Sequence, residues 1–226
     1  MKKTLILLCV AALGAGTISS CAKSSNGKFS GEWTISSLTT TETDTDGSGT
    51  DTEVMTVDGG MLTAVSSSTA SGSTTSTING TVPTATWTIE KDGTWTRTTD
   101  MTISITDPSY SFSSQTVATE SGTWSFVGKN KTAELGKNER VVISTLVSTT
   151  AGTDIFTIGG VADTDTYTDT ETYAEGENVE TYLITESKSK ELSLSQVGAS
   201  SYSTTDSNGT TTESSTSNTA MILTQD

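Results

Sequence analysis

The chain has 226 residues and a formal net charge of −15, with 31% hydrophobic and 17% charged residues; its polar bulk is Thr and Ser. With 27 acids against 12 bases it offers no basic face for nucleic acid. It contains no His and only two Cys, Cys9 and Cys21, which excludes His-based general catalysis, a Cys nucleophile beyond the N-terminal region and Cys/His zinc sites.

Met1-Lys2-Lys3 is a short positive start, and Leu5 to Leu13 is an apolar run well short of the roughly 20 residues a spanning helix needs. A charged start, a short apolar middle and a small-residue end predict an export leader. The cleavage region does not read Ala-x-Ala; it reads Ile18-Ser19-Ser20-Cys21. This stretch resembles the lipobox of bacterial lipoproteins. The resemblance implies that residues 1–20 are removed as a signal peptide, that the Cys21 thiol is lipidated and that the new amine is acylated. Acyl chains anchor at about 0.8 kcal/mol per buried methylene, so two or more hold stably. Cys9 leaves with the leader, so the mature chain forms no internal disulfide. In lipoproteins of diderm bacteria an Asp after the Cys retains the protein at the inner membrane. Ala22 stands here instead, and no acidic cluster of the kind that marks surface export in some Bacteroidota follows. The resemblance thus implies an outer-membrane protein facing the periplasm. Residues 21–28 form the lipidated Cys and a short tether, reaching about 20–25 Å when extended. Removing the leader takes away Lys2 and Lys3 but no acid, leaving 10 bases against 27 acids, a charge that an anionic lipid surface repels.

Residues 29–226 are expected to form one β domain. Leu, Ile, Val and Phe make up under about a fifth of the chain, a composition shared with disordered proteins. However, charged residues and Pro are few, and the abundant Thr is β-branched and favours strands. Gly31-Glu32-Trp33-Thr34-Ile35 opens the first strand, with Trp33 and Ile35 on one face. The strongest hairpin signal spans Thr86 to Ile105: Trp87 and Ile89 alternate with polar residues, Lys91-Asp92-Gly93 turns, and Trp95 starts the return. Trp95, Met101, Ile103 and Ile105 share one face of that return strand. Asp107-Pro108 ends it, and Tyr110 with Phe112 begins another. Gly122 to Phe126 follows, closed by a turn at Gly128 to Lys131. The nearly continuous apolar run Val141 to Val147 reads as a more deeply buried strand. Ile155 to Ile158 comes next, then Tyr182-Leu183-Ile184 and Leu192-Ser193-Leu194 around a turn at Ser187 to Lys190. The last hairpin turns at Asn208-Gly209 and ends with Met221 to Leu223. The polar stretches Thr39 to Glu53, Ser66 to Asn79, Asp163 to Asn178 and Ser200 to Ser217 are too poor in apolar residues to bury anything, and are expected as extended hairpins at the rim or as local disorder. Eight to ten strands with local turns predict an all-β, antiparallel up-and-down meander, barrel or sandwich.

Gly31-x-Trp33, the Trp87 to Trp95 strand-turn-strand, Gly122-x-Trp124 and Tyr182-x-Ile184 followed by Lys190-Glu191-Leu192-x-Leu194 occur in the order found in lipocalin-like lipoproteins of Bacteroidota, which this chain resembles over about two-thirds of its mature length. The resemblance implies a lipocalin-like β-barrel that binds or carries a small apolar ligand, with Trp33, Trp87, Trp95 and Trp124 lining or closing the interior. The alternative is a structural or interaction lipoprotein with a side-chain-filled barrel, no ligand, and long hairpins that meet envelope partners. No enzyme and no cofactor are expected.

Arg97 is the one charge on the apolar face of its strand. It is expected to reach for the rim with its charged end in water, the alternative being an anchor for an acidic ligand group. Asp44-Thr45-Asp46-Gly47-Ser48-Gly49 presents oxygens that suit a hard cation, but the twelfth position is Met55 where a bidentate Glu belongs, so a hairpin tip with solvated acids is expected and no metal site is assigned. Asp163, Asp165, Asp169 and Glu171 fall on one strand face, where like charges repel unless solvated or bridged. Asn79-Gly80-Thr81, Asn130-Lys131-Thr132 and Asn208-Gly209-Thr210 match the N-glycan sequon by chance, Asn-Gly being turn chemistry.

Overall fold

The computed structural model describes residues 29–69, 73–128, 138–206 and 209–225, and from 200 to 212 it describes the backbone alone. The leader, Cys21 and the tether, the greater part of the Gly128–Lys131 turn, Asn130 with its sequon, and Asn208 lie outside the described residues. The described chain is all-β and antiparallel, with eleven strands: β1 (Gly31–Thr45), β2 (Thr50–Asp58), β3 (Met61–Ser68), β4 (Thr74–Ile89), β5 (Thr94–Asp107), β6 (Tyr110–Phe126), β7 (Glu139–Ile158), β8 (Val161–Thr172), β9 (Asn178–Ser187), β10 (Glu191–Asp206) and β11 (Gly209–Thr224). Pairing runs β6-β5-β4-β3-β2-β1-β11-β10-β9-β7, and a β6–β7 ladder closes the ring into a ten-strand barrel with β8 attached to the other edge of β7.

The ring narrows at one end. There, Gly31 to Thr34 of β1 pairs directly with Thr86 to Ile89 of β4, and the wall has eight strands: β1, β4, β5, β6, β7, β9, β10 and β11. We call this end the floor. Above it β1 changes partner to β2 and β4 changes partner to β3, so the β2–β3 hairpin is set into the wall. β7 likewise pairs with β9 through Glu139 to Thr145 and with β8 through Val147 to Ile158. Each strand that changes partner carries a register shift near the change: at Ile35/Ser37 in β1, between Thr81 and Thr84 in β4, and opposite Ser121/Gly122 in β7. A bulge adds one residue, bends the strand and exchanges its inward and outward faces.

That exchange accounts for the apolar run at Val141 to Val147. Above the β7 bulge the inward residues are Ser148, Thr150, Gly152 and Asp154, opposite the inward face of β6; below it they are Glu139, Val141, Ile143 and Thr145. The run therefore reflects a phase change rather than a strand buried on both faces throughout, and Val142 remains only half-buried. β2 and β3 go beyond the strands expected from the sequence. Their turn has a legible signal, since Asp58-Gly59-Gly60-Met61 joins two alternating runs, and Gly59 and Gly60 take φ of +54° and +79° as a two-residue primed turn requires. The polar stretches, in their described parts, are strands that carry the wall past the core. Thr40 nevertheless becomes buried within one of them, beside Thr219 at 3.4 Å between hydroxyls.

The apolar core fills the floor: Trp33, Ile35, Leu38, Trp87, Ile89, Trp95, Val141, Ile143, Tyr182, Leu192, Leu194, Met221 and Leu223 are all buried. Phe29 plugs the base, fully buried, with its ring 5.4 Å from Trp124 and 6.2 Å from Trp87. Its carbonyl accepts a hydrogen bond from Trp33 Nε1 at 2.8 Å, so the first aromatic of β1 fixes the plug. The outward face of β5 is Thr94, Thr96, Thr98, Asp100, Thr102 and Ser104, a water-facing wall rather than the apolar band of a lipid-facing barrel.

Gly122 sits where β6 approaches the β7 bulge. A Cβ there would lie 1.9 Å from the Ser144 carbonyl oxygen, which only a backbone shift relieves, whereas a Cβ at Gly47 meets nothing within 4 Å. Gly122→Ala is therefore expected to destabilise the barrel by about 1–3 kcal/mol, with Gly47→Ala near neutral, as read by chemical denaturation.

Candidate functional site: the polar belt and the acidic mouth

Moving up from the floor, the inward residues change character. Above Trp87 and Trp95, the β5 and β6 faces present Arg97 and Glu120, directly opposite in register. Arg97 is 1% and Glu120 7% exposed. Arg97 Nε donates to Glu120 Oε2 at 3.0 Å, and Nη2 donates to the same oxygen. The guanidinium carbon lies 5.6 Å from the Trp87 ring centre and 5.7 Å from that of Trp95, and the two indoles meet edge to face at 6.0 Å. The expectation that Arg97 reaches the rim is thus corrected. A carboxylate on the neighbouring strand and two aromatic faces compensate its charge inside the barrel, so it has no need of water.

Glu180 of β9 stands near this pair. Its Oε2 is sealed from solvent, as are Arg97 Nη1, Trp87 Nε1 and the hydroxyl of fully buried Tyr182, and the carboxyl interacts with Gln196 and Tyr182. Burial pushes the Glu180 carboxyl up to about 8; the Arg97 guanidinium pulls against that rise and Glu120 adds to it. Tyr182 is also pushed up, first by burial and then by the Glu180 charge. The belt thus holds the Arg97–Glu120 ion pair and one further carboxyl, Glu180, that is neutral over much of the physiological range.

Above the belt the inward faces of β2, β3 and β5 still bury Met55, Val57, Leu62, Met101 and Ile103, and acids appear nearer the mouth. Glu42 opposes Glu53 and Asp44 opposes Asp51 across β1 and β2, while Asp154 opposes Asp165 across β7 and β8. Burial raises Glu42 and Glu53, with neighbouring carboxylates adding to the rise. Asp154 accepts from Ser114 Oγ at 2.7 Å. Tyr167 covers Gly152 from the facing strand and bonds Thr116 at 3.2 Å between hydroxyls. At the β1–β2 tip a cleft of about 270 Å³ is lined by Asp44, Asp46, Asp51 and Glu213. Asp46 Oδ1 is committed to the turn itself, accepting from Ser48 N and Oγ at 2.7 Å and from Gly49 N at 3.0 Å, the geometry of a hairpin tip. Among the described residues no three acids converge as metal ligands.

Of the residues singled out from sequence, the structure brings Trp33, Trp87, Trp95 and Arg97 together inside the barrel, Trp33 facing Trp87 across the β1–β4 junction. Trp124 is apart at the bottom lip, half-buried, its Nε1 donating to the Glu90 carbonyl at 2.7 Å. The apolar space between Leu38, Met55, Val57, Leu62, Val82 and Met101 measures about 10 Å³, at the limit for a single water. Glu120, Glu180, Tyr182 and Phe29 are the residues that sequence reasoning left without a site role. Glu120 had a signal: counting back equally from the two-residue turn at Pro108-Ser109 pairs it with Arg97. No family model matches the chain, and no curated protein and no solved structure is significantly similar to it.

Two outcomes follow from the belt. Glu120→Ala leaves Arg97 buried and unpaired, and should cost about 3–5 kcal/mol in denaturant melts, while Arg97→Met with Glu120→Leu together should cost clearly less. Glu180 binds its proton more tightly in the folded state than in the unfolded chain, so its contribution is present at low pH and is lost as pH rises from about 4.5 to about 8. Glu180→Gln should remove a downward slope of up to about 1.4 kcal/mol per pH unit across that window, measured as the difference from wild type in urea titrations at several pH values.

Proposed function

We propose that the protein is an outer-membrane lipoprotein, tethered through acyl chains on Cys21 and facing the periplasm, whose lipocalin-like barrel is a filled, non-enzymatic scaffold that meets envelope partners through its mouth. The observation that carries this reading is the occupied floor. An eight-strand ring has an interior that side chains just fill or that admits one small ligand, and here three indoles, Tyr182 and Phe29 take up the space. The apolar interstice of about 10 Å³ compares with the several hundred Å³ typical of ligand pockets. β1 begins at the floor, the end of the barrel opposite the mouth. The outward Thr and Ser faces and the acidic rim suit a domain held near a membrane without entering it. The lipobox-like Ile18 to Cys21 carries the anchor, and Ala22 the outer-membrane assignment.

Native mass spectrometry of the full mature chain, extracted from membranes in detergent, tests the filled interior. The mass should equal the acylated polypeptide alone. A reproducible lipid-sized adduct that survives delipidating washes would instead favour carriage of a small apolar ligand among Trp33, Trp87, Trp95 and Arg97. For the anchor, Cys21→Ala should accumulate as a soluble or unprocessed form; normal cleavage with retention on the membrane would refute the lipobox assignment.

A further inference from the structure

The wall of the mouth is open on one side. β8 pairs with β7 and with no other described strand, and β10 pairs with β9 only through Leu192 to Ser195, so from Gln196 to Asp206 its edge away from β11 is also unpaired. β8 therefore presents a twelve-residue edge whose outer backbone groups have no strand to bond. Such an edge is a template for another strand. Its chemistry is selective. On the inward face Asp163, Asp165, Asp169 and Glu171 alternate with Tyr167 at the centre, backed by Asp154 across β7, while the outward face is Thr164, Thr166, Thr168 and Thr170. A second copy docking through β8 would bring these carboxylates against their own kind, which is unfavourable for directly opposed residues.

We propose that the β8 edge accepts an extended segment of a partner polypeptide with Lys or Arg at alternate positions and an uncharged residue opposite Tyr167, added as an antiparallel strand. Each basic residue would stand across from one of Asp163, Asp165, Asp169 and Glu171. Uncharged β-branched residues would face the Thr side, and main-chain bonds to β8 would supply the remaining affinity. The proposal rests on the scaffold reading for the idea that the mouth meets a polypeptide. Its failure is distinguishable, because a barrel free of adducts that also ignores basic strands leaves the scaffold reading standing.

The test uses the full mature chain in detergent and a capped nine-residue peptide, Lys-Thr-Lys-Thr-Val-Thr-Lys-Thr-Lys. At about 50 mM salt the peptide should bind, and hydrogen exchange should slow across 162–171. The quadruple variant D163N/D165N/D169N/E171Q, all at exposed positions, should bind at least about tenfold more weakly. The same peptide with alternate amides N-methylated keeps its charge but cannot pair, and should lose binding and protection alike. Equal binding of the N-methylated peptide would reduce the contact to charge alone and overturn the proposal. So would absence of binding, binding without protection at 162–171, or protection of those amides in a concentration-dependent dimer formed without peptide.

Discussion

The Arg97–Glu120 pair is the constraint on which the interior is arranged. A guanidinium placed inside a barrel without compensation is untenable, since desolvating an ion in a low-dielectric medium costs several kcal/mol even after relaxation. Compensation here comes from three strands at once: Glu120 on β6, Trp95 on β5 itself and Trp87 on β4. These groups meet only if the β4–β5 and β5–β6 registers are both correct. A slip of one residue in either hairpin would turn Arg97 or Glu120 to the outside and leave the other buried alone. The pair is thus a poor source of net stability and a strong discriminator between registers, in a chain whose Thr and Ser repeats distinguish neighbouring registers weakly.

The barrel falls into two chemical regimes. Around and below the pair large apolar side chains pack on Phe29, and above it apolar packing continues on one side through Leu38, Met55, Val57, Leu62, Met101 and Ile103 before acids appear toward the mouth. The division follows from composition. With so few large apolar residues the chain can fill the interior for a few layers and no further: the eight-strand floor, and the side above it where Leu38, Met55, Val57, Leu62 and Met101 are buried. On the β8 side the inward residues of β7 from Ser148 to Asp154 are short or polar, so the wall can open between β8 and β10 without exposing a greasy interior there. Glu180 lies at the boundary, close enough to Arg97 to feel its charge and deep enough to hold a proton.

Much of this was legible in the sequence because it depends on local turns. Asp92-Gly93 fixes the β4–β5 hairpin, and the short turn after Asp107 fixes the partner of Arg97. The inward face of β5 can be read from Trp95 and Ile103. What could not be read is depth and phase. Alternation says which face Arg97 occupies but not that Trp87 and Trp95 will enclose it, because that depends on how neighbouring strands pack around the barrel. The meeting of Trp33 with Trp87 joins β1 to β4 across the whole β2–β3 hairpin, and no local pattern announces so distant a pairing. The bulge in β7 leaves only an ambiguous trace, an apolar run that looks like burial on both faces. Phe29 escaped notice for a similar reason: a single aromatic ahead of the first strand has no periodicity, and its burial follows from the Trp33 indole reaching its carbonyl.

The direct β1–β4 junction also separates what the chain must keep from what it is free to vary. Closure of the floor is complete below the β2–β3 hairpin and below β8, each of which branches from a strand at a bulge. Beyond the buried Leu38, Met55, Val57, Leu62 and Ala64, the exposed tips of β1, β2 and β3 can change length or composition while the eight staves beneath still meet. Changes in the height, charge and outline of those tips therefore carry little risk to folding, whereas the aromatic base and the apolar side beneath the β2–β3 hairpin do not tolerate them.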